Sequence, residues 1–182
     1  VFNDQGQVIA RGIRPKFTSE PLNRGTIFHE GMAALYQSGV KDGEDTGEWD
    51  VDFAVARSEE VLNKVAATYE NPDSVQDHRV AIQERLRAYY DAYGPNAISP
   101  DWPNIRVAID GRGKPLIERE WVVSLGYGDY IFTSKTDLVV QENGFTKCYE
   151  HKTSAPGFWL NQRRTSCHTD GQFTGELFVL RN

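Results

Sequence analysis

The chain is short of cysteine: its 182 residues include only Cys148 and Cys167. Two thiols cannot build a disulfide scaffold, and a four-thiolate iron–sulfur cluster needs twice as many. A reducing, intracellular setting, cytoplasmic in the simplest reading, is the expectation. No apolar stretch approaches the roughly 20 residues of a membrane span, and no basic-plus-apolar leader opens the sequence. Neither a membrane nor a secretory route is therefore expected. A Gly-x-x-x-x-Gly-Lys-Ser/Thr phosphate loop is missing as well, so these residues carry no helicase motor of their own. An excess of positive charge is also lacking, with 20 Lys+Arg against 26 Asp+Glu and a net charge of −6.

That acidity is local. Between Lys41 and Glu60 lie eight of the 26 acids (Asp42, Glu44, Asp45, Glu48, Asp50, Asp52, Glu59 and Glu60) but only two of the 20 bases, Lys41 and Arg57. The remaining 18 acids and 18 bases balance, which leaves room for a basic groove elsewhere. The acidic run itself reads as a solvated loop. With 39% hydrophobic and 12% aromatic residues the chain can fill a core, which excludes global disorder. The length suits one domain: a mostly helical part over 1–103, then a sheet core and closing helix over 104–182. The sequence starts at Val1 and stops just after the apolar run Leu177–Leu180, so it reads as a piece of a longer product.

Periodicity separates the two parts. Asn23-Arg24-Gly25 precedes Phe28, Met32, Leu35 and Tyr36 at helical spacing, with Gly39 as a stop. Ser58, followed by Glu59 and Glu60, resembles a helix N-cap with an acidic first turn, and that helix should run to about Glu70. Ser74 should cap the next helix, with Ile82, Leu86, Tyr89 and Tyr93 as its seam and Gly94-Pro95 as its end. Beyond Asn104 the period becomes two, which predicts strands over Ile105–Ile109, Leu116–Leu125, Tyr130–Gln141 and Phe145–Lys152. Helical character returns from about Asp170. The expected class is α/β or α+β, with a small mixed, mostly antiparallel sheet flanked by helices.

Asn143-Gly144 is the most informative dipeptide. A type I′ turn needs positive φ at both central residues, and Asn-Gly supplies them. A two-residue loop then pairs Glu142 with Phe145, and the same register continues to Leu138 with Tyr149. Asp137 should land opposite Glu150, with Asp137, Val139, Cys148, Glu150 and Lys152 on one sheet face. Leu138, Val140, Tyr149 and His151 take the other. Opposed carboxylates weaken a hairpin unless something offsets them. A divalent cation does so, and so does a surface ion triad of Asp137, Glu150 and Lys152. The residues alone leave both open.

Asp137 followed by Glu150-x-Lys152 across a hairpin resembles the PD-(D/E)-x-K nuclease superfamily, nearest its RecB-like and lambda-exonuclease-like branch. Gly25-Thr-Ile-Phe-His29 looks like that branch's Gly-x-x-x-His helix motif, and Glu118 like its acidic strand position. Asp170-Gly-Gln172 resembles the Gln-containing helix of phage-type members, although Glu176 stands where the family often has tyrosine. The resemblance implies a restriction-endonuclease-like core with a central Asp/Glu-x-Lys hairpin. It implies one or two Mg²⁺ or Mn²⁺ ions held by His29, Asp137, Glu150 and Glu118, with Asp137, Glu150 and Lys152 catalytic. It implies DNA contacts from Gln172, Arg163 and Arg164, and exonuclease action in recombination, repair or viral (phage) genome processing. DNA is then the partner, with a helicase, recombinase, single-strand-binding protein or second copy left open.

On spacing alone some of these residues have plainer roles. His29 shares a helix face with Met32, Ala33 and Tyr36, as a core histidine would, and only the resemblance makes it a ligand. Glu118 is preferred over Glu120 by motif position. Asp129 reads as a turn residue, and His151, facing away from Glu150 and Lys152, as structural. His168 beside Cys167 lacks the convergent set a soft-metal site requires, and Phe158 and Trp159 read as core. Two rival functions remain: a non-catalytic nucleic-acid-binding module on the same fold, and a structural domain whose charged triad is only a surface network.

Overall fold

The computed structural model describes residues 20–69, 71–95, 105–124, 126 and 131–151. Lys152, Phe158, Trp159, Arg163, Arg164, Cys167, His168, Gln172, Asp129 and the helix expected from about Asp170 lie outside them.

Helix α1 (Glu20–Ser38) begins earlier than its apolar spacing suggested and takes Asn23-Arg24-Gly25 into its body. Gly25 and Gly31 each cost a helix about 1 kcal/mol relative to alanine. Burial of Ile27, Met32 and Leu35, each no more than 2% exposed, contributes about 2 kcal/mol apiece, so packing decides. Gly31 is also where helices meet: a Cβ there would come within 2.8 Å of Leu86 and 3.3 Å of Ser58. Arg24 secures the N-terminal part from outside, donating to His78 Nε2 at 2.6 Å. A guanidinium only donates, so the His78 proton sits on Nδ1 and goes to the Tyr69 hydroxyl, 2.9 Å away.

The acidic run is folded, contrary to the loop expected there. Strands β1 (Val40–Lys41) and β2 (Glu44–Asp45) form a small antiparallel hairpin. The Asp45 carboxylate accepts the N–H groups of Gly47 and Val107, tying this hairpin to the main sheet. Helix α2 (Val51–Val65) then starts eight residues before the expected one. Its cap is Asp50, whose carboxylate accepts the Phe53 N–H at 2.9 Å. Ser58 is instead buried within the helix and donates to the Val55 carbonyl. Acids on the solvent side had masked the buried stripe of Ala54, Val55, Ser58 and Leu62. A short 3₁₀ turn, Ala66–Thr68, follows. Helix α3 (Asp73–Tyr93) is led in by Pro72, and Ser74 bonds back to the Asn71 carbonyl without capping it.

The main sheet is built on β5 (Ile131–Glu142). Strand β4 (Ile117–Ser124) and the short β3 (Arg106–Val107) pair with it at different levels, and β6 (Phe145–Tyr149) returns along it through the Asn143-Gly144 turn. Both turn residues have positive φ, 53° and 80°, as a primed turn demands. The hairpin register agrees with expectation from Glu142↔Phe145 to Leu138↔Tyr149. The ladder stops there, so Asp137 and Glu150 are not a ladder pair. Every strand pair among the described residues is antiparallel, with no parallel member of the mixed sheet expected. The chain is thus a mixed α+β fold.

Leu138 and Val140 face the helices and join one apolar cluster with Ile27, Phe28, Leu35, Leu62, Ile82 and Leu86. Tyr89 and Tyr93, the expected seam of α3, pack against its margin. No helix of the described residues is long and apolar enough to cross a membrane. Loss of the Asp50 cap in Asp50→Ala should lower unfolding free energy by about 1 kcal/mol. Urea denaturation checks this, and Asp50→Ser should restore most of the loss.

Candidate metal centre

Three side chains from three elements converge at the junction of α1 with the sheet. His29 comes from α1, Glu118 from the start of β4 and Asp137 from β5, and one ligand atom from each lies within 4.8 Å of the others. His29 Nδ1 is 3.5 Å from Asp137 Oδ2 and 3.8 Å from Glu118 Oε1. The strand register explains the meeting of the acids. Ile117↔Leu138 and Arg119↔Thr136 are paired, and Glu118 falls between them, level with Asp137. The acid opposed to Asp137 in the sheet is therefore Glu118 on β4, where the hairpin arithmetic had expected Glu150 on β6.

Glu118 has φ = 49°, a left-handed conformation that an L-residue with a long side chain adopts at a cost of about 1 kcal/mol or more. Neither glycine nor an asparagine-like local hydrogen bond relieves it. The side chain so held makes two charge contacts, with His29 and with Lys135 Nζ.

The remaining contacts orient the carboxylates. Asp137 accepts the backbone N–H of His151 at 2.8 Å, which positions one of its oxygens. The His151 ring lies against Tyr36, with Nε2 3.0 Å from the Tyr36 hydroxyl, and that hydroxyl is 2.6 Å from the Tyr89 hydroxyl. His151 Nδ1 is 3.9 Å from Asp137 Oδ2 as well, so the ring lies beside the trio and not on the opposite sheet face where alternation had put it. Glu150 follows the last residue of β6 and is not among the three converging residues.

The electrostatics follow from these contacts. The Asp137 carboxylate, then that of Glu118, pushes the His29 pKa up from 6.5 to about 10 against the effect of burial. The metal-free imidazole is thus protonated at neutral pH. Burial disfavours ionisation of both acids, but their partners outweigh it. His29 and the His151 N–H hold Asp137 below its ordinary value, and His29 and Lys135 do the same for Glu118. Burial pushes His151 down.

One imidazole nitrogen and two carboxylates suit Mg²⁺ or, better, Mn²⁺. Donors about 2.1 Å from one octahedral ion lie about 3.0 Å apart when adjacent and about 4.2 Å when opposite, so the trio would have to close by roughly half an ångström or more to share one ion. His29 would ligate through Nδ1 as neutral imidazole, giving up its Nδ1 proton to solvent and keeping the one on Nε2. Lys135 was missed by the sequence reading, although it lies two residues before Asp137 on the same strand face, where period-two counting could have found it.

His29 makes a signed stability prediction for the metal-free protein. Its folded pKa lies above its unfolded one, so its contribution is fully present below pH 6.5 and lost as pH rises toward 10. Urea denaturation in EDTA should show wild type exceeding His29→Gln at pH 6, with the difference shrinking steadily to pH 10. Comparison of the chain with protein-family models, curated proteins and solved structures finds no match, so function has to be read from the side chains of the site itself.

Proposed function

We propose that the chain is a metal-dependent deoxyribonuclease that hydrolyses DNA phosphodiester bonds as an exonuclease, in recombination, repair or viral genome processing. One observation carries the reading: a histidine and two carboxylates from α1, β4 and β5 are brought within 4.8 Å of one another, with Glu118 held in a strained backbone to do it. All three are among the four positions, Glu150 being the other, that the PD-(D/E)-x-K resemblance assigns to metal ligation. A restriction-endonuclease-like core belongs to this proposal, as do Glu150 and Lys152 as the remaining catalytic pair.

A bound divalent ion supplies Lewis acidity, which activates water at neutral pH and offsets charge gathering on the phosphate. The chain's own residues do the rest. His29, Glu118 and Asp137 would hold the ion, and the His151 N–H, donating to Asp137 Oδ2, fixes the orientation of that carboxylate. Lys152 would orient the attacking water or take its proton, and Arg163, Arg164 and Gln172 would contact the DNA backbone.

A competing reading has an observation of its own. His29 and Lys135 already balance the charges of Glu118 and Asp137, as a purely structural ion network would. End-labelled linear duplex and single-stranded DNA, incubated with Mg²⁺, Mn²⁺ or EDTA, separates the two. The nuclease reading predicts cleavage that EDTA abolishes and that Asp137→Asn slows by at least about 100-fold, with DNA binding retained. Absence of cleavage in either metal by folded protein would overturn it. Retained DNA binding would then leave the non-catalytic module.

A further inference from the structure

The charge nearest the metal-ligating trio is one that neither the sequence motif nor the proposed chemistry uses. Lys135 is directly opposite Glu120 in the β4–β5 ladder. Directly opposed residues are the natural cross-strand partners, yet the Lys135 ammonium passes over Glu120 and pairs diagonally with Glu118 Oε2. The other Glu118 oxygen, Oε1, faces His29 Nδ1. One carboxylate therefore bridges the histidine of the trio and a lysine at its rim.

The lysine is placed to leave. Its side chain is 59% exposed whereas that of Glu118 is 27% exposed, so the ammonium can turn to solvent while the carboxylate stays inside. It opens on a groove of about 360 Å³ lined by Glu118, Glu120, Thr133, Ser134 and Lys135. The Thr133 hydroxyl and the Lys135 ammonium, two residues apart on one strand face, are donors of the kind that hold phosphate oxygens. Lys135 and Asp137, two residues apart on β5, share a strand face, which brings that groove to the metal-ligating carboxylates.

We propose that Lys135 is the counter-ion that a divalent metal displaces from Glu118, and that its released ammonium then binds a backbone phosphate of the DNA strand lying in this groove. The inference rests on the nuclease reading and adds to it a loading step and a phosphate contact. Before loading, the ammonium neutralises Glu118. After loading, the metal would take over that carboxylate and the Lys135 ammonium would be released into the groove, on the same strand face as Asp137.

The full chain with Lys135→Met or Lys135→Arg tests this by binding alone. Without DNA, Mn²⁺ titration followed by electron paramagnetic resonance should show Lys135→Met binding the ion about fivefold more tightly, because a partly exposed competing ion pair is gone. Duplex binding in Ca²⁺ should weaken in Lys135→Met, and the slope of log K against log salt should fall by about 0.9, the loss of one phosphate contact. Lys135→Arg, which keeps the charge, should retain the wild-type slope. A merely structural lysine would move neither the Mn²⁺ affinity upward nor the salt slope. If wild type binds Mn²⁺ and DNA but Lys135→Met shows unchanged Mn²⁺ affinity and salt slope, the inference falls and the nuclease reading stands. If wild type binds neither, both fall together.

Discussion

Two carboxylates are forced together by the backbone. Glu118 and Asp137 are level with each other on neighbouring strands, with ligand atoms within 4.8 Å. At that separation they repel by roughly 3 kcal/mol at an effective dielectric near 20. A domain has only about 5–15 kcal/mol of net stability, so the repulsion cannot stand uncompensated. Helix α1 delivers the compensation as His29, from one side, and β5 adds Lys135 from the other. The placement of α1 across the sheet is thus an electrostatic requirement as well as a packing one.

The rest of the structure holds that arrangement in register. Gly31 lets α1 approach α3 and α2 closely enough for Leu86 and Ser58 to contact it. Arg24 pins the N-terminal part of α1 to α3 through a part-buried hydrogen bond to His78, itself held by a buried one to Tyr69. Further along the same helix, Tyr36 stacks edge-on to Trp49 and shares hydrogen bonds with Tyr89 and His151. His151 then closes the circuit by giving its backbone N–H to Asp137. A shift of α1 along its axis would break both of these polar links and move His29 away from the carboxylates.

Much of this was legible where the deciding forces are local. Asn143-Gly144 sets the turn by backbone sterics, so the β5–β6 register could be counted residue by residue. Ile82 and Leu86 announced the buried side of α3 by spacing alone. The residues missed depend on distant partners. The start of α1 rests on Arg24 reaching His78, and no local pattern reports a contact 54 residues away. The cap at Asp50 was a local signal, but its acidic neighbours made the segment look like solvated loop. Glu118 was chosen by motif position, and its place opposite Asp137 could not be counted. The segment between β4 and β5 carries no two-residue turn signal, so that register stayed undetermined. For the same reason Glu150, the acid that could be counted, was expected opposite Asp137.

Whether the trio is a metal centre decides between a working site and a self-neutralised ion network, and diffraction from crystals soaked in Mn²⁺ addresses it most directly. The account predicts an anomalous peak about 2.1–2.2 Å from His29 Nδ1 and from oxygens of Glu118 and Asp137, with Lys135 turned away from Glu118. No peak at the trio under saturating Mn²⁺, with His29 and Lys135 still paired to the two carboxylates, would contradict it.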